Sequence, residues 1–158
     1  MHKSEPSVPI RKHRIHVVFD TNIVVAFYFS KTESIVKKFW QYYWRSERKL
    51  QLVISPELRD EYLVTLERLR VTTRQIQLFT ELIDFGASTT RVNLGTRFTA
   101  SSDPDDNIVL ATAAAGNAEF LVTRDHHLLD IPEKGKRKFR FKILSPDQFL
   151  FVIQSRSQ

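Results

Sequence analysis

The stretch Ile15-His16-Val17-Val18-Phe19-Asp20-Thr21-Asn22 (I-H-V-V-F-D-T-N) decides the architecture of this chain. Ile15 to Phe19 is a β-branched and aromatic run that reads as a short buried strand, and Asp-Thr-Asn directly after it is turn and helix-cap chemistry. A buried strand that runs straight into a helix is the first half of an α/β unit. The end of such a strand is an expensive place for an unpaired carboxylate, so Asp20 requires compensation from a cation or from strong hydrogen bonds.

The same grammar repeats downstream. Ile35, Val36, Phe39, Trp40, Tyr43 and Trp44 recur at helical spacing and predict an amphipathic helix over Thr32 to Arg45. Its aromatic stripe reads as core or a dimer face, with a base-stacking platform as the functional alternative. Gln51 to Ile54 is a second apolar run. Ser55-Pro56-Glu57 then supplies an N-cap, a proline at the first helical position and an early acid, opening a helix to about Arg70. A second helix over Thr73 to Phe85 completes a helical hairpin. Thr90 to Val92 predicts a short strand, and Asp103-Pro104 repeats the cap-then-proline pattern before an alanine-rich helix from Asp105 to about Ala115, which Gly116-Asn117 stops. Phe120 to Thr123 and Lys138 to Leu144 are the last predicted strands, and Ser145-Pro146-Asp147-Gln148 is the capping box of a final helix.

Strands alternating with helices predict a three-layer α/β/α sandwich on a mostly parallel central sheet. The length of 158 residues suits one domain, placed at 15–158, with residues 1–14 as a basic N-terminal extension. No apolar run is long enough to span a bilayer, and the N-terminal residues lack the apolar centre of a secretory signal, so a cytoplasmic location is expected. The absence of cysteine excludes disulfides, thiolate metal sites and cysteine nucleophiles, leaving oxygen or imidazole as metal ligands.

Four acids stand where a loop leaves a strand or a helix begins: Asp20, Glu61, Asp106 and Asp125. In an open parallel sheet, ligands bind beyond the carboxyl ends of the strands, where Asp20 and Asp125 would both emerge. Four carboxylates at about 5 Å would repel by roughly 3 kcal/mol per pair at an effective dielectric near 20, a conflict that a hard divalent cation resolves. Oxygen-only ligation favours magnesium or manganese. Each acid also has a plainer reading. Asp103 is most simply an N-cap, Asp106 suits the dipole of its helix, and Glu57, Asp60 and Glu67 read as exposed helix charges.

The net charge of +6 attracts polyanions, with nucleic acid the leading candidate. The excess collects in Arg11 to Arg14 and in Lys134 to Arg140, where Lys136 and Arg137 are candidate substrate contacts; the plain alternative is a solvated tail and a solvated hairpin edge.

From Val17 to about Leu150 the chain resembles the PIN domain family, and within it the toxin components of bacterial and archaeal toxin-antitoxin systems. The matching pieces are V-F-D-T-N-I, V-I-S-P-E-L-R-D-E-Y, D-P-D-D-N-I-V-L-A-T-A, A-E-F-L-V-T-R-D-H-H-L-L and I-L-S-P-D-Q-F-L, in that order. The resemblance implies a magnesium- or manganese-dependent ribonuclease whose acidic quartet is Asp20, Glu61, Asp106 and Asp125. Asn22 and Thr123 match supporting positions, and Asp103 and Asn107 flank Asp106 in the same role. It further implies a homodimer and a small antitoxin that covers the site.

This chain departs from the family at Arg124, where relatives often have glycine. The turn there must avoid a left-handed backbone, and the guanidinium becomes a candidate contact for a substrate phosphate. Leu69-Arg70-Val71 lacks a common Arg-Pro. Two rival classes remain: a PIN-like module that binds RNA or protein without cleaving, and a phosphatase with Asp20 as nucleophile. The latter chemistry, in the haloacid dehalogenase-like family, wants a second aspartate two positions on, where this chain has Asn22.

Overall fold

The computed structural model describes residues 14–31, 34–44, 50–95 and 104–156, and within these not the side chains of residues 41–44 and 104–107. Five strands form one sheet: β1 (Ile15–Phe19), β2 (Leu50–Ile54), β3 (Thr89–Arg91), β4 (Phe120–Val122) and β5 (Lys142–Leu144), in the order β3-β2-β1-β4-β5. All four pairings are parallel. The chain therefore builds outward from β1 through β2 to β3, then returns to the other side of β1 to lay down β4 and β5. The reversal falls between β1 and β4, and it opens a crevice at their carboxyl ends.

Strand character follows from composition. Every residue of β2 and of β4 is buried, as expected for parallel strands covered on both faces. Helices α1 (Thr21–Phe29) and α2 (Ile35–Trp44) connect β1 to β2, and α3 (Pro56–Arg68) and α4 (Thr73–Phe85) form the expected hairpin between β2 and β3. Helix α5 (Pro104–Ala115) packs against β1, β2 and β4, while α8 (Pro146–Arg156) packs against β5 and α2. The result is the three-layer α/β/α arrangement with a parallel sheet. Among the described residues no helix is long and apolar enough to cross a membrane.

Val36, Phe39 and Trp40 of α2 are buried. Phe39 lies 6.0 Å from Phe19 and 5.1 Å from Phe149, ring centre to ring centre, and Trp40 lies 6.0 Å from Phe79. For Phe39 and Trp40 the aromatic stripe is thus core, neither a dimer face nor a base-stacking platform. Tyr43 and Trp44 fall outside the described side chains.

Two helix starts match their sequence signals closely. Ser55 accepts from the Leu58 amide ahead of Pro56, and Ser145 and Gln148 exchange reciprocal bonds in the expected capping box. The predicted strand over Lys138 to Leu144 is shorter in the structure. Glu133–Lys136 winds into a helical turn, α7, and the Arg137 and Phe139 amides still donate to the Glu133 and Lys136 carbonyls, so extended backbone begins only at Lys142. The basic run is therefore a helical turn and a loop, not a hairpin edge. A further short helix, α6 (His126–Leu129), also had no periodic signal in the sequence. Of the N-terminal basic run only Arg14 is described, and it donates to Gln51 Oε1 at 2.9 Å.

Candidate active site

The register of the sheet sets the site. Phe19 pairs with Val122, and the Asp20 amide continues the ladder by donating to the Val122 carbonyl at 3.0 Å, so Asp20 and Thr123 leave their strands side by side. Asp20 caps α1, its Oδ1 accepting from the Thr21 amide at 2.8 Å. Its Oδ2 accepts from the Thr123 hydroxyl at 2.6 Å and from Asn22 Nδ2 at 3.2 Å. The compensation required of Asp20 is thus supplied in part by three hydrogen bonds.

Thr123 is fully buried and links two acids. Its hydroxyl donates to Asp20 and accepts from the Asp125 amide at 2.9 Å. Asp125 in turn caps α6, accepting from the His127 amide at 2.9 Å. Asn22 works on both sides of the crevice: its amide nitrogen reaches Asp20, and its Oδ1 accepts from the Arg124 amide at 3.2 Å. Asn22 and Thr123 thus both donate to Asp20 Oδ2. The positive-φ non-glycine residues among the described residues are Arg70 and Asn117, so the Arg124 turn does avoid the left-handed region.

Glu61 arrives from α3. The Thr21 hydroxyl donates to Glu61 Oε2, and the next residue, Tyr62, is fully buried with its hydroxyl donating to the Phe19 carbonyl. These two bonds pin α3 to the end of β1, beside Asp20. Burial pushes the Tyr62 phenol well above its ordinary value, and the Asp20 and Glu61 carboxylates add to the effect.

Asp106 lies in the first turn of α5, but its side chain and that of Asn107 are outside the described residues, as is Asp103 altogether. Further along, α5 is held by hydrogen bonds at Thr112. Thr112 donates to the Ile108 carbonyl at 2.7 Å, so the 2.7 Å bond between Ser55 Oγ and Thr112 Oγ1 is donated by Ser55. That buried bond ties α5 to the start of α3, the helix that carries Glu61. Sequence reasoning missed Thr21, Tyr62, Ser55 and Thr112 as parts of the site. Each stands inside a stretch already singled out, Thr21 in V-F-D-T-N-I, Ser55 and Tyr62 in V-I-S-P-E-L-R-D-E-Y and Thr112 in D-P-D-D-N-I-V-L-A-T-A, but nothing local marks its bond across the fold.

Burial pushes the Asp20 carboxyl above the ordinary aspartate value. The Thr123 and Thr21 bonds oppose this, the Asp125 charge adds to it, and the Asn22 bond opposes it. Two carboxylates thus sit within each other's field in a crevice with restricted access to water. Among the described residues, no group of three or more histidine, aspartate or glutamate side chains is gathered closely enough to hold a metal ion. The donors available are carboxylate oxygens, hydroxyls and an amide, a hard set suited to magnesium or manganese.

The PIN domain family model matches residues 16–127, a span that contains all four acids. Comparison with curated proteins gives no match. Among solved structures, the fold is similar to a chain in the crystal structure of VapBC2 from Rickettsia felis bound to a DNA fragment from their promoter. The TM-score is 0.51 at 15% identity, covering 83% of this chain and 98% of that one.

Proposed function

Because the chain belongs to the PIN domain family, we propose that it is a divalent-cation-dependent ribonuclease whose catalytic residues are Asp20, Glu61, Asp106 and Asp125. The observation that carries this reading is the Thr123 hydroxyl held between Asp20 and the amide of Asp125 at the reversal point of the sheet. It fixes two acids, far apart in sequence, in one crevice, and burial together with mutual repulsion leaves Asp20 short of positive charge.

Asp20 and Asp125, with Glu61 and Asp106, would hold Mg2+ or Mn2+. When bound, the cation neutralises charge on the scissile phosphodiester and makes water a better nucleophile. The protein's own part is positional. Thr123 and Asn22 fix the rotamer of Asp20, and Thr21 fixes that of Glu61, so the acids are set before substrate arrives. An acid of the quartet accepts the proton released as water attacks. Arg124 is exposed beside Asp125 and is proposed to contact a substrate phosphate.

The biological role proposed is that of a toxin in a toxin-antitoxin pair, acting as a homodimer and restrained by a cognate antitoxin. The likeness in fold to a chain of the VapBC2 complex supports the pairing with an antitoxin; the homodimer rests on the family resemblance. The phosphatase reading is disfavoured by Asn22, whose amide donates to Asp20 from the position where that chemistry wants a second acid.

The test is cleavage of single-stranded RNA in magnesium or manganese by Asp20→Asn and Asp106→Asn, with folding followed by circular dichroism. Both variants are expected to fold and to lose cleavage. Undiminished cleavage by either one removes the mechanism. Metal-independent RNA affinity without turnover in the wild type would instead make it a binding module.

A further inference from the structure

The residues after His127 lie beyond the family match, yet Lys134 to Arg140 holds five of the chain's 24 lysines and arginines. In the structure this run curls around a cleft of about 650 Å³, walled on one side by α7 and the loop after it and on the other by edge strand β5. Lys136, Arg137, Arg140 and Lys142 line the cleft, against two acids, Asp130 and Glu133. Asp130 faces His126, with Oδ2 3.6 Å from Nδ1. A second hollow of about 360 Å³ shares His126, Leu129 and Ser145 with the first and reaches Arg124. The two hollows are thus neighbours with shared walls, and the second, which also includes Asp147, is lined by Arg124 and His126, the residues on either side of Asp125 in sequence.

We propose that these two hollows are the track on which a single-stranded RNA lies as it leads into the site, its phosphates neutralised in succession by Lys136, Arg137, Arg140 and Lys142. The proposal rests on the ribonuclease reading for what happens at the end of the track, but not for binding along it. Charge complementarity identifies the occupant: a concave surface with an excess of cations on long side chains follows a flexible polyanion. Phe139, stacked on Phe141 with ring centres 4.9 Å apart, gives the cleft an apolar floor. A peptide added as a strand along β5 is the poorer occupant, because that edge is three residues long and offers little ladder.

The experiment uses Asp20→Asn protein without divalent cation, so that binding is read apart from cleavage. Fluorescence anisotropy with a labelled single-stranded RNA of a dozen or so nucleotides is measured across a salt series. Replacing Lys136, Arg137, Arg140 and Lys142 together by alanine is expected to raise Kd at least tenfold. The slope of log K on log salt should fall by about 0.7 for each phosphate that is no longer neutralised. Exchanging lysine and arginine at the same four positions should preserve binding, and so should Arg68→Ala on the exposed end of α3. If the quadruple variant melts early, the pair Arg137→Ala and Arg140→Ala, both exposed, carries the same comparison.

An unchanged affinity and slope overturns the track. So does displacement of a polyglutamate peptide by the alanine substitutions while RNA binding is unaffected, which would assign the cleft to a protein partner. Loss of RNA binding in the alanine variant, with no cleavage by the wild-type chain in magnesium or manganese, supports the track and removes the ribonuclease reading. Cleavage by the alanine variant at unchanged KM does the opposite.

Discussion

The Thr123 hydroxyl donates to the Asp20 carboxylate at 2.6 Å while accepting from the Asp125 amide at 2.9 Å. One buried oxygen thereby sets the distance between the ends of two adjacent strands and the orientation of the acid on one of them. Thr123→Val keeps the shape and removes both bonds. Cation affinity, followed by calorimetric titration, should fall about 10- to 100-fold, the range usual for residues that orient metal ligands. Thr123→Ser should restore it. A valine variant that binds cation as the parent does would show that Thr123 merely fills space.

Asp20 gives a pH-dependent prediction for cation-free protein. Its folded pKa is raised above the unfolded value, chiefly by burial. Folding is therefore favoured by this group below the ordinary aspartate value, and that contribution is lost as pH rises through the folded value. Asp20→Asn should melt higher than the parent at pH 7 in chelator, with the difference closing as the solution is taken below the ordinary aspartate value. Cation at ten times Kd should stabilise the parent by about 1.4 kcal/mol and leave Asp20→Asn unmoved. Thermal melts in chelator and in magnesium check both.

The Arg59 guanidinium grips Asp84 with Nε to Oδ1 at 2.7 Å and Nη2 to Oδ2 at 2.9 Å, clamping α3 to α4. Hydrogen bonding to Arg59 holds the Asp84 carboxyl below its ordinary value. The stabilisation is therefore present above the ordinary aspartate value and lost as pH falls through the depressed one. Both side chains remain about a third exposed or less, at 33% and 26%. Asp84→Asn should cost at most about 1 kcal/mol near neutral pH and less in high salt. Urea denaturation at two salt concentrations measures it; a loss that is independent of salt would mean packing, not charge.

Gly116 ends α5 where there is no room for a side chain. A Cβ at this position would come within 2.2 Å of Val53 Cγ1 on β2. Gly116→Ala should destabilise the fold by about 1–3 kcal/mol. Because the clash is with one methyl group, Val53→Ala should recover part of the loss, so that the double variant is more stable than the sum of the single losses predicts. Additive losses in urea denaturation would place the strain elsewhere.

The sequence made some of this legible and hid the rest for physical reasons. Ile15–Phe19 and Leu50–Ile54 stand out because parallel strands covered on both faces must be continuously apolar. Thr73–Phe85 is bounded by its capping box and Gly86, and its predicted ends are the observed ones. Lys138 to Leu144 misled because alternation of Phe139 and Phe141 resembles a strand, whereas the backbone before Lys142 is committed to a helical turn and a loop. In the site, Asp20 and Asp125 could be paired from topology alone. The Thr21 to Glu61 bond, the Tyr62 anchor and the Ser55 to Thr112 bond could not, because each depends on how a helix settles against another element distant in sequence and none leaves a periodic trace.

The pairing of β1 with β4 also bears on how the protein is made. Asp20 and Thr123 are separated by 103 residues, and their strands meet only after β2, β3 and the intervening helices have been synthesised. A nascent chain halted on the ribosome before Thr123 carries Asp20 and Glu61 but lacks the strand that completes their setting. Contacts this distant close late and slowly. Any activity housed in the crevice therefore requires synthesis at least as far as Thr123, and a fragment that stops short of it lacks the hydroxyl that orients Asp20.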